Sequence, residues 1–183
     1  MQKIISLCKT SAHELKNTRC ITLSAMLAAM SVVLSNFTIV VTSSLKISFF
    51  FLPSRIVYYL FGPFVGTIFG ATIDILNYIV KPTGPFHPGF TINAALSGMI
   101  FGFILYKKPL KLSRVFVAST INMIIVNLVL NTYWISTITG SAIIITLPAR
   151  IIKNVVLLPF EAILLFLVIK SIESTGVFKM LKR

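Results

Sequence analysis

Charge is what this chain has least of, and negative charge least of all. Only 11% of its 183 residues are charged, and the acidic ones number four: Glu14, Asp74, Glu161 and Glu173. An average soluble domain carries about 25% charged residues. A fold whose whole surface faces water is therefore excluded. Histidine and cysteine are equally scarce, at two each. Cys8 lies in a basic N-terminal stretch and Cys20 at the start of the first apolar run. Neither metal-ligand spacing nor a disulfide framework is expected, since the cytosol is reducing. No His-Glu-x-x-His, Gly-x-Ser-x-Gly or Gly-x-x-x-x-Gly-Lys pattern occurs, and these carry zinc, acyl-transfer and phosphate chemistry respectively. An enzyme is thus disfavoured and no cofactor is expected. If the chain transports actively, a partner must supply the ATPase.

What is present is apolar sequence, 56% of the chain. The 17 basic residues give a net charge of +13, which invites a nucleic-acid reading. Their distribution argues against it. Twelve fall in three clusters: Lys3, Lys9, Lys16, Arg19; Lys107, Lys108, Lys111, Arg114; and Lys170, Lys179, Lys182, Arg183. Clusters flanking apolar runs are the mark of cytoplasmic loops. The expected partner is a lipid bilayer, with no nucleic acid.

A bilayer needs about 20 apolar residues per helix, and the runs divide on that scale. The expectation is an all-α integral membrane protein: a compact bundle of six transmembrane helices with both termini inside. Residues 1–18 form a basic cytoplasmic segment, either a short interfacial helix or a solvated tail. Residues 19–172 form the six-helix domain, and 173–183 a basic cytoplasmic tail. The first span begins at Cys20. A short second span, Lys46 to Gly62, is expected to kink near Pro53. The turn Phe61-Gly62-Pro63 leads into a third span ending at Val80. Thr91 to Tyr106 is the fourth, Val115 to about Ser136 the fifth. After a turn at Thr139-Gly140-Ser141, the sixth runs to about Ile169 and is expected to kink at Pro159.

Between the third and fourth spans lies Lys81-Pro82-Thr83-Gly84-Pro85-Phe86-His87-Pro88-Gly89-Phe90. Proline removes a backbone donor and glycine costs helix entropy, so this stretch is a structured loop at the outer face. Polar side chains converge beneath it. Asp74 lies about 9 Å in from Val80 at the rise of a helix, with Asn77 and Tyr78 above it. Asn127, Asn131 and Trp134 share a face of the fifth span. Arg150, Lys153 and Asn154 share one of the sixth. Ionisable groups at such depth read as functional, and the set suits an anionic, ring-bearing ligand. Asp74 would accept from an amino-heterocycle, Trp134, Phe86, Phe90 and Tyr78 offer flat faces, and Arg150, Lys153 or Lys81 would hold a carboxylate. The alternative is internal pairing, with Asp74 neutralising Arg150 or Lys153. His87 is expected to hydrogen-bond within the loop. Arg55 and Glu161 fall in the inner half and are expected to form a structural ion pair.

Two small-residue stripes, Gly62/Gly66/Gly70 and Ala94/Gly98/Gly102, imply close helix packing. A third small face, Ser24, Ala25, Ala28 and Ala29, would pack on this chain's own helices or on another membrane protein.

Taken together, the Ala25-xxx-Ala29 face, Phe49-Phe-Phe-Leu-Pro, Phe61-Gly-Pro-Phe-Val-Gly, Pro82-Thr-Gly-Pro-Phe-His-Pro-Gly-Phe-Thr91 and Asn131-Thr-Tyr-Trp-Ile-Ser136 resemble a known family. It is the folate-specific branch of the substrate-binding S components of energy-coupling factor transporters. The resemblance covers nearly the whole chain. It implies a multi-pass protein of the bacterial cell membrane that captures folate outside. It also implies docking through Ala25 and Ala29 on a membrane coupling subunit (the T component) driven by two cytoplasmic ATPase subunits. Under it, Asp74 or Asn131 would meet the pterin, Trp134, Phe86 and Phe90 would stack, and Arg150, Lys153 or Lys81 would serve the glutamate tail. An S component for another vitamin, or a stand-alone carrier, fits the same residues less specifically.

Overall fold

The computed structural model describes residues 2–40, 46–82, 84, 86–140 and 143–175. Among the described residues it is a helical bundle with one small two-stranded sheet. Helix α1 (Gln2–Glu14) leads into α2 (Thr18–Asn36), whose N-terminus is capped by Asn17 accepting from the Arg19 amide at 3.0 Å. Strands β1 (Thr38–Val40) and β2 (Lys46–Ser48) pair antiparallel, Ile39 opposite Ile47. Then come α3 (Phe51–Val80), α4 (Pro88–Leu105) and α5 (Leu112–Asn122). A π-helical segment (Met123–Leu130) joins α5 to α6 (Asn131–Thr139), and α7 (Ile143–Ser174) is the last of the described elements. Among the described residues five helical stretches are long and apolar enough to cross a membrane. The protein is a multi-pass membrane protein.

The centre of the bundle is α3, and it is not one straight rod. Gly62 breaks it with φ 86° and ψ −168°. Only glycine adopts such angles without strain, and Pro63 then starts the second half at the position where a missing N–H costs nothing. The chain reverses there. Tyr58 lies edge-on to Phe69, ring centroids 6.3 Å apart, and a Cβ on Gly70 would sit 3.1 Å from the Tyr58 hydroxyl. A straight helix would hold residues 58 and 70 about 18 Å apart. Residues 51–61 and 63–80 are therefore two arms of a helical hairpin, which is the turn expected at Phe61-Gly62-Pro63.

Two expectations need correction. The second span does not begin at Lys46, because Lys46–Ser48 is a strand and the helix starts at Phe51. Nor does Pro53 bend it: Pro53 sits in the first helical turn, where no backbone donor is lost, and the break is at Gly62. Its first arm spans about 16 Å, half the hydrocarbon thickness. In α7 no non-helical residue interrupts the run through Pro159.

The two glycine stripes pack on each other. A Cβ on Gly98 would lie 2.0 Å from the Gly66 carbonyl oxygen, one on Gly70 2.3 Å from that of Ala94, and one on Gly102 2.4 Å from the Pro63 Cα. The α3 second arm and α4 thus run antiparallel with backbones in contact, the arrangement small residues permit in lipid. Around this pair the core gathers Val57, Phe61, Phe69, Phe101, Leu105, Val115, Leu165 and Ile169. By contrast α2 buries only Cys20 and Ser31 and lies at the periphery. Ala25 and Ala29 face outward from it.

Candidate functional site

A cavity of about 340 Å³ opens between the two arms of α3, the start of α4, the π segment and α7. The first arm contributes Ser54, Arg55 and Tyr58, the second Ile73, Asp74 and Asn77. Phe90, Asn93 and Ser97 come from α4, and Glu161 from α7. Asn122 comes from α5, Asn127 from the π segment and Asn131 from α6.

That last set depends on an irregularity. Nine residues separate Asn122 from Asn131, and at about 100° per residue an α-helix would put them on opposite faces. Between them the chain is π-helical, and the Asn131 amide bonds back five residues to the Val126 carbonyl. Turns of roughly 4.4 residues bring both asparagines to one side. Helical phase counted at 3.6 residues therefore missed Asn122. Ser54, Tyr58, Asn93 and Ser97 were missed because nothing in their local sequence separates them from packing residues.

Of the expected ligand residues, Asp74, Asn77, Phe90 and Asn131 line the cavity, and Tyr78, Lys81, Phe86, Trp134, Arg150 and Lys153 do not. Asp74 Oδ2 accepts from the Thr91 hydroxyl at 2.8 Å. Among the described residues no ion pair joins it to Arg150 or Lys153. Arg150 and Lys153 are half-buried on α7. Asn154 reaches instead to Asn127, whose Nδ2 donates to its Oδ1 at 3.2 Å.

Arg55 and Glu161 come within 2.7 Å, Nη2 to Oε2. They line the same cavity as Asp74, so the pair is part of the site and not remote from it. The guanidinium also sits 4.3 Å from the centre of the Phe51 ring and 4.8 Å from that of Phe101. Contact with two ring faces compensates a cation taken out of water. Yet Arg55 Nη1 is buried without a protein partner, as are Asn77 Oδ1 and Asn122 Oδ1. A buried polar atom left unpaired costs about 1–3 kcal/mol. One guanidinium donor and two asparagine side chains in one cavity are the groups a polar ligand would satisfy.

Described residues of the Pro/Gly segment pack against the C-terminal turn of α3. The Tyr78 hydroxyl donates to the Gly84 carbonyl at 3.0 Å, and the Phe86 ring lies edge-on to Tyr78 at 5.1 Å. His87 caps α4, its Nδ1 accepting from the Gly89 amide at 3.1 Å. It is held in turn against Trp134, ring centroids 5.1 Å apart. Trp134 Nε1 donates to Asn93 Oδ1 at 3.2 Å, and a Cβ on Gly89 would meet the indole at 2.5 Å. Trp134 therefore locks the turn to α6 and orients Asn93, which lines the cavity although Trp134 does not. Thr83 and Pro85 lie outside the described residues.

A family model described as "ECF transporter, substrate-specific component" matches residues 19–169. The chain is 32% identical over 142 residues to a folate transporter FolT of Clostridium novyi (strain NT), covering 78% of this chain and 83% of the relative. A folate transporter FolT of Leuconostoc mesenteroides is 31% identical over 152 residues, covering 79% and 81%. A crystal structure of FolT bound with folic acid superposes with a TM-score of 0.75 at 34% identity, over 83% of this chain and 93% of that one.

Proposed function

The chain belongs to the substrate-specific components of ECF transporters, and from that membership we propose that it binds folate and delivers it for import. A substrate-specific component is the binding part of a transporter, not an enzyme. The observation that carries the reading is the set of unpartnered atoms, Arg55 Nη1, Asn77 Oδ1 and Asn122 Oδ1, in a cavity that also presents Asp74 and Asn131. The pterin ring of folate carries amino and ring N–H donors beside a carbonyl acceptor. Donors suit Asp74 and the asparagine oxygens, and the carbonyl suits Arg55. Phe90, Tyr58 and Phe101 supply apolar and aromatic surface for the ring and linker.

About 340 Å³ is the low end of the range for small-molecule sites. The dicarboxylate tail therefore extends toward the Pro/Gly segment, where Lys81 is exposed. Arg150 and Lys153, outside the lining, are not assigned to it. Phe86 and Trp134 act on the ligand through the segment they hold. In this reading both termini lie inside and this segment outside as the gate, and the basic clusters support that orientation. Ala25 and Ala29, outward on α2, form the face for the membrane coupling subunit, which two cytoplasmic ATPases drive.

The isolated chain, purified in detergent, is expected to bind folate tightly and at one per protein, with no comparable binding of thiamin, riboflavin or biotin. Calorimetric titration decides it, and absence of tight folate binding sinks the assignment.

A further inference from the structure

Helix α1 lies outside the residues matched by the family model, which begin at 19. It is nonetheless fastened to the centre of the fold. Ser11 is fully buried, and its hydroxyl makes three hydrogen bonds to the tip of the α3 hairpin. It donates to the Phe61 carbonyl at 2.6 Å and accepts from the Phe64 amide at 3.1 Å and the Val65 amide at 3.2 Å. A hydroxyl has one donor and two acceptor sites, so its whole capacity is spent there.

The groups it serves are the ones a chain reversal orphans. Phe61 ends the first arm. Phe64 and Val65 are the second and third residues of the next, the amides a helix N-cap side chain ordinarily satisfies. Gly62 stands in the cap position and has no side chain to do this. It cannot gain one, because a Cβ would lie 2.7 Å from Tyr106 Cδ1. The cap is supplied from another helix. A second tie holds α1 in place, the Tyr106 hydroxyl donating to Glu14 Oε1 at 3.3 Å.

The two arms so joined form opposed walls of the ligand cavity, Arg55 and Tyr58 on one and Asp74 and Asn77 on the other. The angle between them sets the distance between these groups. We infer that Ser11 is a positioning residue for ligand binding: α1 staples the α3 hairpin at its tip and thereby holds the two cavity walls at the spacing the ligand needs. The inference rests on the folate reading for its ligand, but its geometry does not.

The test compares wild type, Ser11→Ala, Ser11→Thr (which keeps the hydroxyl) and Thr10→Ala, whose hydroxyl bonds only within α1. Two quantities are read: amide exchange of the 61–66 peptide without ligand, and folate affinity. Ser11→Ala is expected to exchange faster at 61–66 and to lose about tenfold in affinity, the scale of a lost helix cap. Ser11→Thr and Thr10→Ala should match wild type. Unchanged exchange in Ser11→Ala, or affinity within twofold of wild type, overturns the inference. If Ser11→Ala does not fold, Tyr106→Phe loosens α1 without touching Ser11. A fall in folate affinity then supports the inference, and an unchanged affinity overturns it. A wild type that binds no folate removes the functional reading alone, since the exchange measurement still decides the staple.

Discussion

Arg55 carries three interactions at once, an ion pair with Glu161 and contacts with two aromatic faces, and keeps one donor unpartnered in the cavity. The order of importance follows from burial. The side chain is only 10% exposed and that of Glu161 29%. Removing one partner of a buried pair costs about 3–5 kcal/mol, because the other charge is stranded. Glu161→Ala is therefore expected to destabilise the ligand-free protein by an amount toward the lower end of that range, measured by thermal unfolding in detergent. Lys153→Ala, half-buried and in no ion pair among the described residues, should stay within about 0.5 kcal/mol. Equal midpoints for the two variants would show that Arg55 does not depend on Glu161. The pairing itself was legible in the sequence, since two ionisable residues at similar depth in lipid seek each other. That the pair lines the cavity was not legible, because depth counted along the spans put Arg55 in the inner half and Asp74 in the outer.

Among the elements, two departures from the regular helix build the site. The first is the backbone contact of α3 and α4, where Gly98 admits no side chain without displacing the Gly66 carbonyl. Overpacking a tight contact costs about 1–3 kcal/mol and more where backbone must move. Gly98→Val should therefore force the two helices apart, lowering both thermal stability and ligand affinity. Gly84→Ala, with nothing within 4 Å of its Cβ direction but φ +107, should strain only the segment above the cavity. Its thermal midpoint should fall less than that of Gly98→Val, and the reverse order would remove the packing argument. The second departure is the π segment. The glycine stripes could be read at a period of four, but which stripe met which could not. The π turn left no mark at all in a run of Ile, Val, Leu, Met and Asn, because its hydrogen bonds are backbone to backbone.

For the whole molecule, the division of surfaces matters most. The cavity lies inside the bundle, whereas α2 stands at its edge with Ala25 and Ala29 outward beside an apolar groove shared with α3. In lipid, small exposed residues admit a partner helix at close range. Replacing both alanines with Trp fills that face without touching the cavity. The expected result in cells is loss of folate uptake with folate binding by the purified protein unchanged. Uptake that survives the double substitution would remove the docking role, and binding that fails with it would mean the two surfaces are not separate.

The sequence alone determined the environment, the class of fold, the hairpin turn and the resemblance to a family. Each follows from local quantities: apolar run length, the position of basic clusters, the backbone freedom of Gly62 and short motifs. Only the tertiary structure decided which polar residues share a cavity. It drew in Asn93 and Asn122, left Arg150 and Lys153 outside the lining, and gave Ser11 a place at the hairpin tip. The physical reason is that a side chain's partners depend on rotations summed along the chain. A reversal at one glycine and a widened turn over eight residues redirect everything beyond them, and neither is written in the composition of the residues they move.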